Sequence, residues 1–238
     1  MGKKVCISFI FLSLVMLACQ NVNKEKDLDT GNKELTYLAL GDSYTIGEGV
    51  EEEQRWPVQL VEKLRADGID ISDARIIAKT GWTTDELMAG IEEAGPGREY
   101  ALVSLMTGVN NQYRGRDRDN FRKELASLID TAISCAAGIA DNVIVLSIPD
   151  WGVTPFAAGR DQEKIAEEID SFNNVIVEEC NEANVKYIDV SGVSRRASDD
   201  LSLVAGDGLH PSGRMYEMWV EILYPSVKEV LRGQRNEK

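Results

Sequence analysis

The sequence has a single histidine, His210, among its 238 residues. Structural and catalytic zinc sites are built from clusters of histidine, cysteine and carboxylate ligands, and no Cys/His cluster is present, so we expect neither a metal nor another cofactor. Basic residues are also few, because 26 lysines and arginines face 40 acidic residues and leave a formal charge of −14. Such a surface repels polyphosphates. We therefore expect no nucleic acid partner and no direct docking onto an anionic membrane surface.

Cysteine is scarce as well, with four residues in the whole chain. Two of them, Cys6 and Cys19, lie in an N-terminal leader, and Cys135 and Cys180 fall within helix-like apolar stretches. This distribution indicates buried free thiols rather than a disulfide framework, although a pairing of Cys135 with Cys180 stays open at this level. The chain length allows one α/β domain with a substantial core, and the sequence has no internal repeat.

The first 18 residues have the pattern of a signal peptide. Lys3 and Lys4 precede an uncharged, mostly apolar run over 5–18 that is short for a membrane span. The run ends in Met-Leu-Ala-Cys19, which resembles a bacterial lipobox and implies lipid attachment at Cys19. Residues 19–34 are polar and without hydrophobic period, as in a flexible tether. We expect an exported protein anchored to a bacterial membrane, periplasmic or at the cell surface; the alternative is ordinary secretion with Cys19 unmodified.

From residue 35 to 238 the chain alternates apolar strand-like runs with amphipathic helical stretches. The predicted strands are 35–40, 74–78, 100–106, 142–149 and 185–190, and the predicted helices are 54–66, 84–94, 119–137, 162–183 and 212–231. Strands that alternate with helices form parallel sheets through right-handed crossovers. The sequence therefore predicts one domain, a three-layer α/β/α sandwich around a five-stranded parallel sheet.

In such a sheet, ligands bind at the carboxyl ends of the strands. Ser43 follows the first strand within Gly41-Asp42-Ser43, and His210 follows the last strand, three residues after Asp207. A serine hydroxyl becomes a good nucleophile when an imidazole accepts its proton, and an aspartate fixes the tautomer of that imidazole. Ser43, His210 and Asp207 are therefore the candidate catalytic residues.

Two other loops after strands offer groups that could stabilise an anion. Gly81 follows the second strand, and the block Gly-Val-Asn-Asn at 108–111 follows the third. A glycine lets its N–H approach a reacting carbonyl, and an asparagine amide donates a hydrogen bond. Together with the N–H of Ser43, these groups could supply three donors to a tetrahedral oxyanion.

The four blocks together resemble the SGNH hydrolases, also called GDSL esterases and lipases. The blocks are GDS at 41–43, Gly81, GVNN at 108–111 and DGLHPS at 207–212. The resemblance implies a flavodoxin-like sandwich, a Ser43–His210–Asp207 triad, and an oxyanion hole formed by Ser43, Gly81 and Asn110. The chain departs from the family pattern at Tyr44, where leucine is usual, and at the second asparagine of GVNN, where aspartate is common.

The predicted function is a serine esterase that hydrolyses carboxylic esters through an acyl-Ser43 intermediate. Two substrate classes remain possible: acetylated carbohydrate, and lysophospholipid or another ester, either fatty or short-chain. Tyr44, Trp82 and Trp151 are candidates for lining the substrate cleft, with loop packing as the alternative for the two tryptophans. The competing hypothesis is a non-catalytic surface lipoprotein that binds a glycan or lipid in the same cleft.

Overall fold

The computed structural model describes residues 1–2 and 34–236, with side chains as far as Gly233. Cys19, nearly all of the proposed signal peptide and the tether up to residue 33 lie outside the described residues. The part that is described from residue 34 onward belongs to one compact unit. Within the described ranges, no helix is both long and apolar enough to cross a membrane.

Five parallel strands form the central sheet in the order β2-β1-β3-β4-β5. The strands are β1 Tyr37–Gly41, β2 Arg75–Ala78, β3 Leu102–Met106, β4 Val143–Leu146 and β5 Lys186–Ile188. Every residue of β1, β3 and β4 is buried, which explains why these strands are largely continuous apolar runs rather than alternating ones. The predicted five-stranded parallel sheet is confirmed.

Eight α-helices surround this sheet in the described part of the chain. They are α1 Ser43–Ile46, α2 Trp56–Ala66, α3 Thr84–Ala94, α4 Val109–Tyr113, α5 Arg118–Cys135, α6 Gln162–Ala183, α7 Ser191–Ser194 and α8 Gly213–Asn236. α3 starts at a capping box formed by Thr83 and Glu86, and the Asp161 side chain caps α6, which ends at Asn184 in the left-handed conformation. The short helices α1, α4 and α7 were not predicted.

The long helices pack in two layers. α2 packs against α8, whereas α3 and α6 both pack against α5, so each face of the sheet is covered. Cys135 on α5 and Cys180 on α6 are buried free thiols, which excludes a disulfide between them. Burial raises the pKa of the Cys180 thiol to about 12, so this group stays protonated and unreactive.

The parallel register brings the carboxyl ends of three strands together. Gly41 at the end of β1 pairs with Ala78 of β2 on one side and with Met106 of β3 on the other. The segments that follow these three residues therefore start side by side at one edge of the sheet. Ser43, Gly81 and Asn110 all lie within four residues of those strand ends.

Candidate active site

Ser43 is the first residue of α1 and sits directly above the end of β1. A Cβ added to Gly41 would lie 2.1 Å from Thr45 Oγ1 and 2.6 Å from the carbonyl oxygen of Met106, so only glycine allows this close approach. The Asp42 carboxylate accepts a hydrogen bond from the Tyr44 N–H at 3.0 Å, which caps α1. The tight turn holds Ser43 largely buried, with its hydroxyl facing a cleft.

His210 and Asp207 meet Ser43 from a loop that precedes α8. His210 Nε2 is 3.0 Å from Ser43 Oγ, and His210 Nδ1 is 2.6 Å from Asp207 Oδ2. The other carboxylate oxygen, Asp207 Oδ1, accepts the backbone N–H groups of Leu209 and His210 at 2.9 and 3.0 Å. The structure thus joins the three candidate residues in one chain of hydrogen bonds, although Ser43 and His210 are 167 positions apart.

The electrostatics favour an ionised Asp207. Partial burial alone would raise the pKa of its carboxyl, but the hydrogen bonds from the His210 side chain and from the two backbone N–H groups outweigh that effect and lower it. An ionised carboxylate accepts the Nδ1–H of the imidazole and leaves Nε2 unprotonated towards Ser43 Oγ. This arrangement suits a general base.

Gly81 and Asn110 line the same cleft as Ser43 and His210. Gly81 has a φ of 84°, a conformation that favours glycine, and its carbonyl accepts a hydrogen bond of 2.6 Å from Arg114 Nη2. Asn110 Nδ2 donates to the Trp82 carbonyl at 2.9 Å. Both loops are therefore held in place, and the two candidate donors stand beside the candidate nucleophile.

Asp42 is a site residue to which the sequence analysis gave no role. Its side chain is completely buried, and Asn110 Nδ2 lies 3.4 Å from Asp42 Oδ2. Burial raises the pKa of this carboxyl to about 7, against the opposing effect of hydrogen bonds from the Tyr44 N–H and the Asn110 amide. The one signal in the sequence was its position between Gly41 and Ser43.

Asn111, the second asparagine of the GVNN block, has a structural role, whereas Asn110 faces the cleft. Asn111 Oδ1 accepts the backbone N–H of Thr84 at 3.1 Å, and Asn111 Nδ2 donates to Thr84 Oγ1 at 2.7 Å. The buried Asn111 side chain therefore ties α4 to the N-terminus of α3. Asparagine fits this position because it both donates and accepts.

The cleft above Ser43 has a volume of about 160 Å³ and largely apolar walls. Tyr44 and Trp151, two of the three aromatic residues suggested by the sequence, line it, and the Tyr44 ring lies 5.2 Å from the His210 ring. Tyr113 and Phe156 also line the cleft, and the sequence analysis did not identify them.

Trp82, the third suggested aromatic residue, is not among the residues that line the cleft. Its ring packs on Gly90 of α3, where an added Cβ would lie 2.1 Å from the ring. The structure therefore places this side chain in helix packing and not in the cleft wall. Only its backbone reaches the site, through the carbonyl that accepts from Asn110.

A comparison with known families decides the classification. The sequence profile of the GDSL-like lipase/acylhydrolase family matches residues 39–218. The chain belongs to this family. The matched range contains all four blocks on which the resemblance rests. Membership of this family supports ester hydrolysis as the activity of the protein. Among the described residues, no group of three or more His, Cys, Asp or Glu gathers in a way that could hold a metal ion.

Solved structures show the same fold as this GDSL-family protein. The crystal structure of TesA has a TM-score of 0.65 at 22% identity, covering 82% of this chain and 99% of its own. The psychrotrophic esterase EstA from Pseudoalteromonas sp., inhibited by monoethylphosphonate, has a TM-score of 0.60 at 20% identity and 84% and 100% coverage. Axe2, an acetylxylan esterase from Geobacillus stearothermophilus, has a TM-score of 0.60 at 19% identity and 81% and 94% coverage. No curated protein matches the chain significantly.

Proposed function

We propose that this GDSL-family protein is a serine esterase that hydrolyses carboxylic esters through an acyl-Ser43 intermediate. The observation that carries the proposal is the contact of 3.0 Å between His210 Nε2 and Ser43 Oγ, with Asp207 on the opposite ring nitrogen. A protein that only binds glycan or lipid needs neither Asp207 nor His210 in this arrangement. Catalysis is therefore the better account of the site than the non-catalytic alternative.

The reaction follows from the order of the hydrogen bonds. His210 Nε2 takes the proton of Ser43 Oγ as the oxygen attacks the ester carbonyl carbon, and the imidazolium that forms is stabilised by Asp207. The tetrahedral intermediate collapses when His210 returns the proton to the leaving alcohol, which gives acyl-Ser43. A water molecule, deprotonated by His210, then attacks the acyl carbon, and collapse of the second intermediate releases the acid and restores Ser43.

The oxyanion of each tetrahedral intermediate would be stabilised by the N–H groups of Ser43 and Gly81 and by Asn110 Nδ2. Removal of one such donor costs about 3 kcal/mol of barrier, or roughly 100-fold in rate. The hydrogen bond from Asn110 Nδ2 to the Trp82 carbonyl orients the amide before substrate arrives. The second contact of Asn110 Nδ2, to Asp42 Oδ2, is longer at 3.4 Å, so an oxyanion can compete with Asp42 for that amide hydrogen.

The size of the cleft favours a short acyl group. Its volume of about 160 Å³ is below the roughly 300–1,000 Å³ of sites that enclose drug-sized ligands. The long acyl chain of a lysophospholipid would extend beyond it, whereas an acetyl group fits. The structural similarity to an acetylxylan esterase supports the same assignment.

We also propose that the enzyme is exported and anchored to a bacterial membrane through a lipid on Cys19. The apolar run before Cys19 and the polar tether after it support this location. A tether of about 15 residues would let the domain move over the surface and reach ester substrates near it.

The proposal is tested by hydrolysis of p-nitrophenyl esters from acetate to palmitate, with wild type beside Ser43→Ala. We expect turnover that is highest for the shortest acyl chains and that disappears in Ser43→Ala, whose fold should remain intact by circular dichroism. Turnover of Ser43→Ala near the wild-type rate would refute the acyl-Ser43 mechanism.

A further inference from the structure

A second groove adjoins the cleft and shares two of its aromatic lining residues. Tyr113 and Trp151 line both spaces, and the groove has a volume of about 280 Å³. An ester whose carbonyl carbon lies at Ser43 has its acyl group in the small cleft. The alcohol portion extends out of the cleft, and the groove that shares Tyr113 and Trp151 with it is a neighbouring space that this portion can enter.

The border between cleft and groove is a cluster of aromatic rings. The ring centroids of Tyr113 and Trp151 are 5.4 Å apart, and Phe156 lies 6.1 and 5.9 Å from them. Tyr113 is 46% exposed and Phe156 is 41% exposed, whereas Trp151 is 4% exposed. The accessible apolar surface of the cluster therefore belongs to Tyr113 and Phe156, and adjacent exposed rings of this kind are typical of binding surfaces. Trp151 is held by a hydrogen bond of 2.8 Å from its Nε1 to Gln112 Oε1, so the cluster keeps a fixed shape.

The guanidinium of Arg160 lies over this cluster, and most of its hydrogen-bond donors are unpaired among the described residues. Its guanidinium carbon is 5.4, 5.3 and 5.2 Å from the ring centroids of Tyr113, Trp151 and Phe156. Arginine carries five N–H donors, and among the described residues its guanidinium hydrogen-bonds only to the Tyr113 hydroxyl, at 3.4 Å. Four donors of an exposed, positioned fork therefore remain for a ligand at the groove.

The rest of the groove offers donors and acceptors in equal measure. Lys164 contributes a second cation, and Asp161 and Glu168 contribute two carboxylates. Glu168 Oε2 accepts from Gln112 Nε2 at 2.7 Å, while Glu168 Oε1 is 3.7 Å from Lys164 Nζ. An anionic headgroup would meet both carboxylates, and an apolar alcohol would give no acceptor to the remaining donors of Arg160.

We propose that the groove binds a sugar ring as the alcohol part of the ester, which makes the protein a deacylase of short-chain sugar esters. A sugar presents an apolar C–H face that packs on aromatic rings, and hydroxyls that each donate and accept. The groove supplies both, through the exposed ring of Tyr113 and through Arg160 and Glu168. This inference rests on the proposed esterase function and adds its substrate class.

The test compares the specificity of Arg160→Ala and Lys164→Ala with that of wild type. The substrates are a glucose monoacetate and a xylose monoacetate, which keep free hydroxyls that donate and accept, and p-nitrophenyl acetate, which has no hydroxyl group. Arg98→Ala is the matched control, because Arg98 is exposed in the loop before β3, at the opposite end of the strands. Thermal unfolding verifies that each variant is folded.

We expect wild type to hydrolyse at least one acetylated sugar. Arg160→Ala should lower kcat/KM for that sugar at least about tenfold more than for p-nitrophenyl acetate, mainly through KM, a difference of about 1.4 kcal/mol. Lys164→Ala should also lower kcat/KM more for the sugar than for p-nitrophenyl acetate. Arg98→Ala should leave kcat/KM unchanged for both substrates. Equal losses on both substrates, or hydrolysis of p-nitrophenyl acetate without any acetylated sugar, would overturn the groove assignment. If wild type hydrolyses neither the acetylated sugars nor p-nitrophenyl acetate, the esterase proposal on which the groove assignment rests is overturned instead.

Discussion

The buried carboxyl of Asp42 makes the stability of the fold depend on pH in a way that one substitution can remove. Its pKa is raised from 3.8 to about 7 by burial, so between these two values the folded state binds a proton that the unfolded state has released. A proton bound only by the folded state stabilises it. This contribution is therefore complete at low pH and is lost as the pH rises through 7.

The magnitude follows from the interval over which only the folded state is protonated. Each pH unit in that interval changes the free energy of unfolding by 1.36 kcal/mol, and pH 5 lies two units below the raised pKa. Between pH 5 and pH 8, wild type should lose about 3 kcal/mol through this group. Asp42→Asn has no charge to bury and keeps the acceptor for the Tyr44 N–H, so it should not show this loss.

Urea unfolding followed by tryptophan fluorescence at pH 5 and pH 8 measures the effect. The free energy of unfolding of Asp42→Asn minus that of wild type should increase by about 3 kcal/mol from pH 5 to pH 8, so that the variant becomes relatively more stable at the higher pH. Asp199→Asn, which removes an exposed carboxyl, is the control and should differ from wild type by the same small amount at both values. A difference for Asp42→Asn that stays constant within about 0.5 kcal/mol would refute the reasoning.

Three further predictions address the catalytic groups and the anchor. Asp207→Asn should lower kcat by roughly 10⁴-fold, since an amide facing Nδ1 favours the wrong tautomer of His210; p-nitrophenyl acetate hydrolysis measures it, and a loss below tenfold would remove Asp207 from the mechanism. Asn110→Ala should lower kcat about 100-fold with little change in KM, and an effect confined to KM would mean that Asn110 does not stabilise the oxyanion. Cys19→Ala should move the protein from the membrane fraction to the soluble fraction in its native host, and unchanged fractionation would contradict lipid anchoring.

Local sequence signals were sufficient for the long elements of the fold. The bounds of α3 and α6 agree with those predicted, because both helices start at capping side chains and both interrupt their hydrophobic period at a residue that adopts a left-handed conformation, Gly95 and Asn184. Ser43 and His210 could be identified for a related reason. Ser43 directly follows β1 of the parallel sheet, whose strand ends share one edge, and His210 lies in the long segment between β5, the last strand, and α8.

Interactions between distant segments account for what the sequence did not reveal. The apolar run at 142–149 continues past β4, but Ile148 leaves the sheet and exchanges hydrogen bonds with the Asn173 side chain of α6. Trp82 packs on α3 because Gly90 leaves room for its ring, and nothing near Trp82 signals that space. Phe156 reaches the cleft through short 3-10 turns over 151–157, which have no hydrophobic period to recognise.

The hydrogen-bonded chain from Asp207 to Ser43 combines a local contact with a very distant one. Asp207 and His210 are three residues apart and can find each other within one loop, whereas Ser43 lies near the start of the domain. Until the segment around 207–210 has been synthesised, the chain contains the serine but neither its base nor the carboxylate that orients the base. The protein would therefore be unable to attack esters during most of its own synthesis, and the onset of activity would mark the moment at which the two ends of the domain come together.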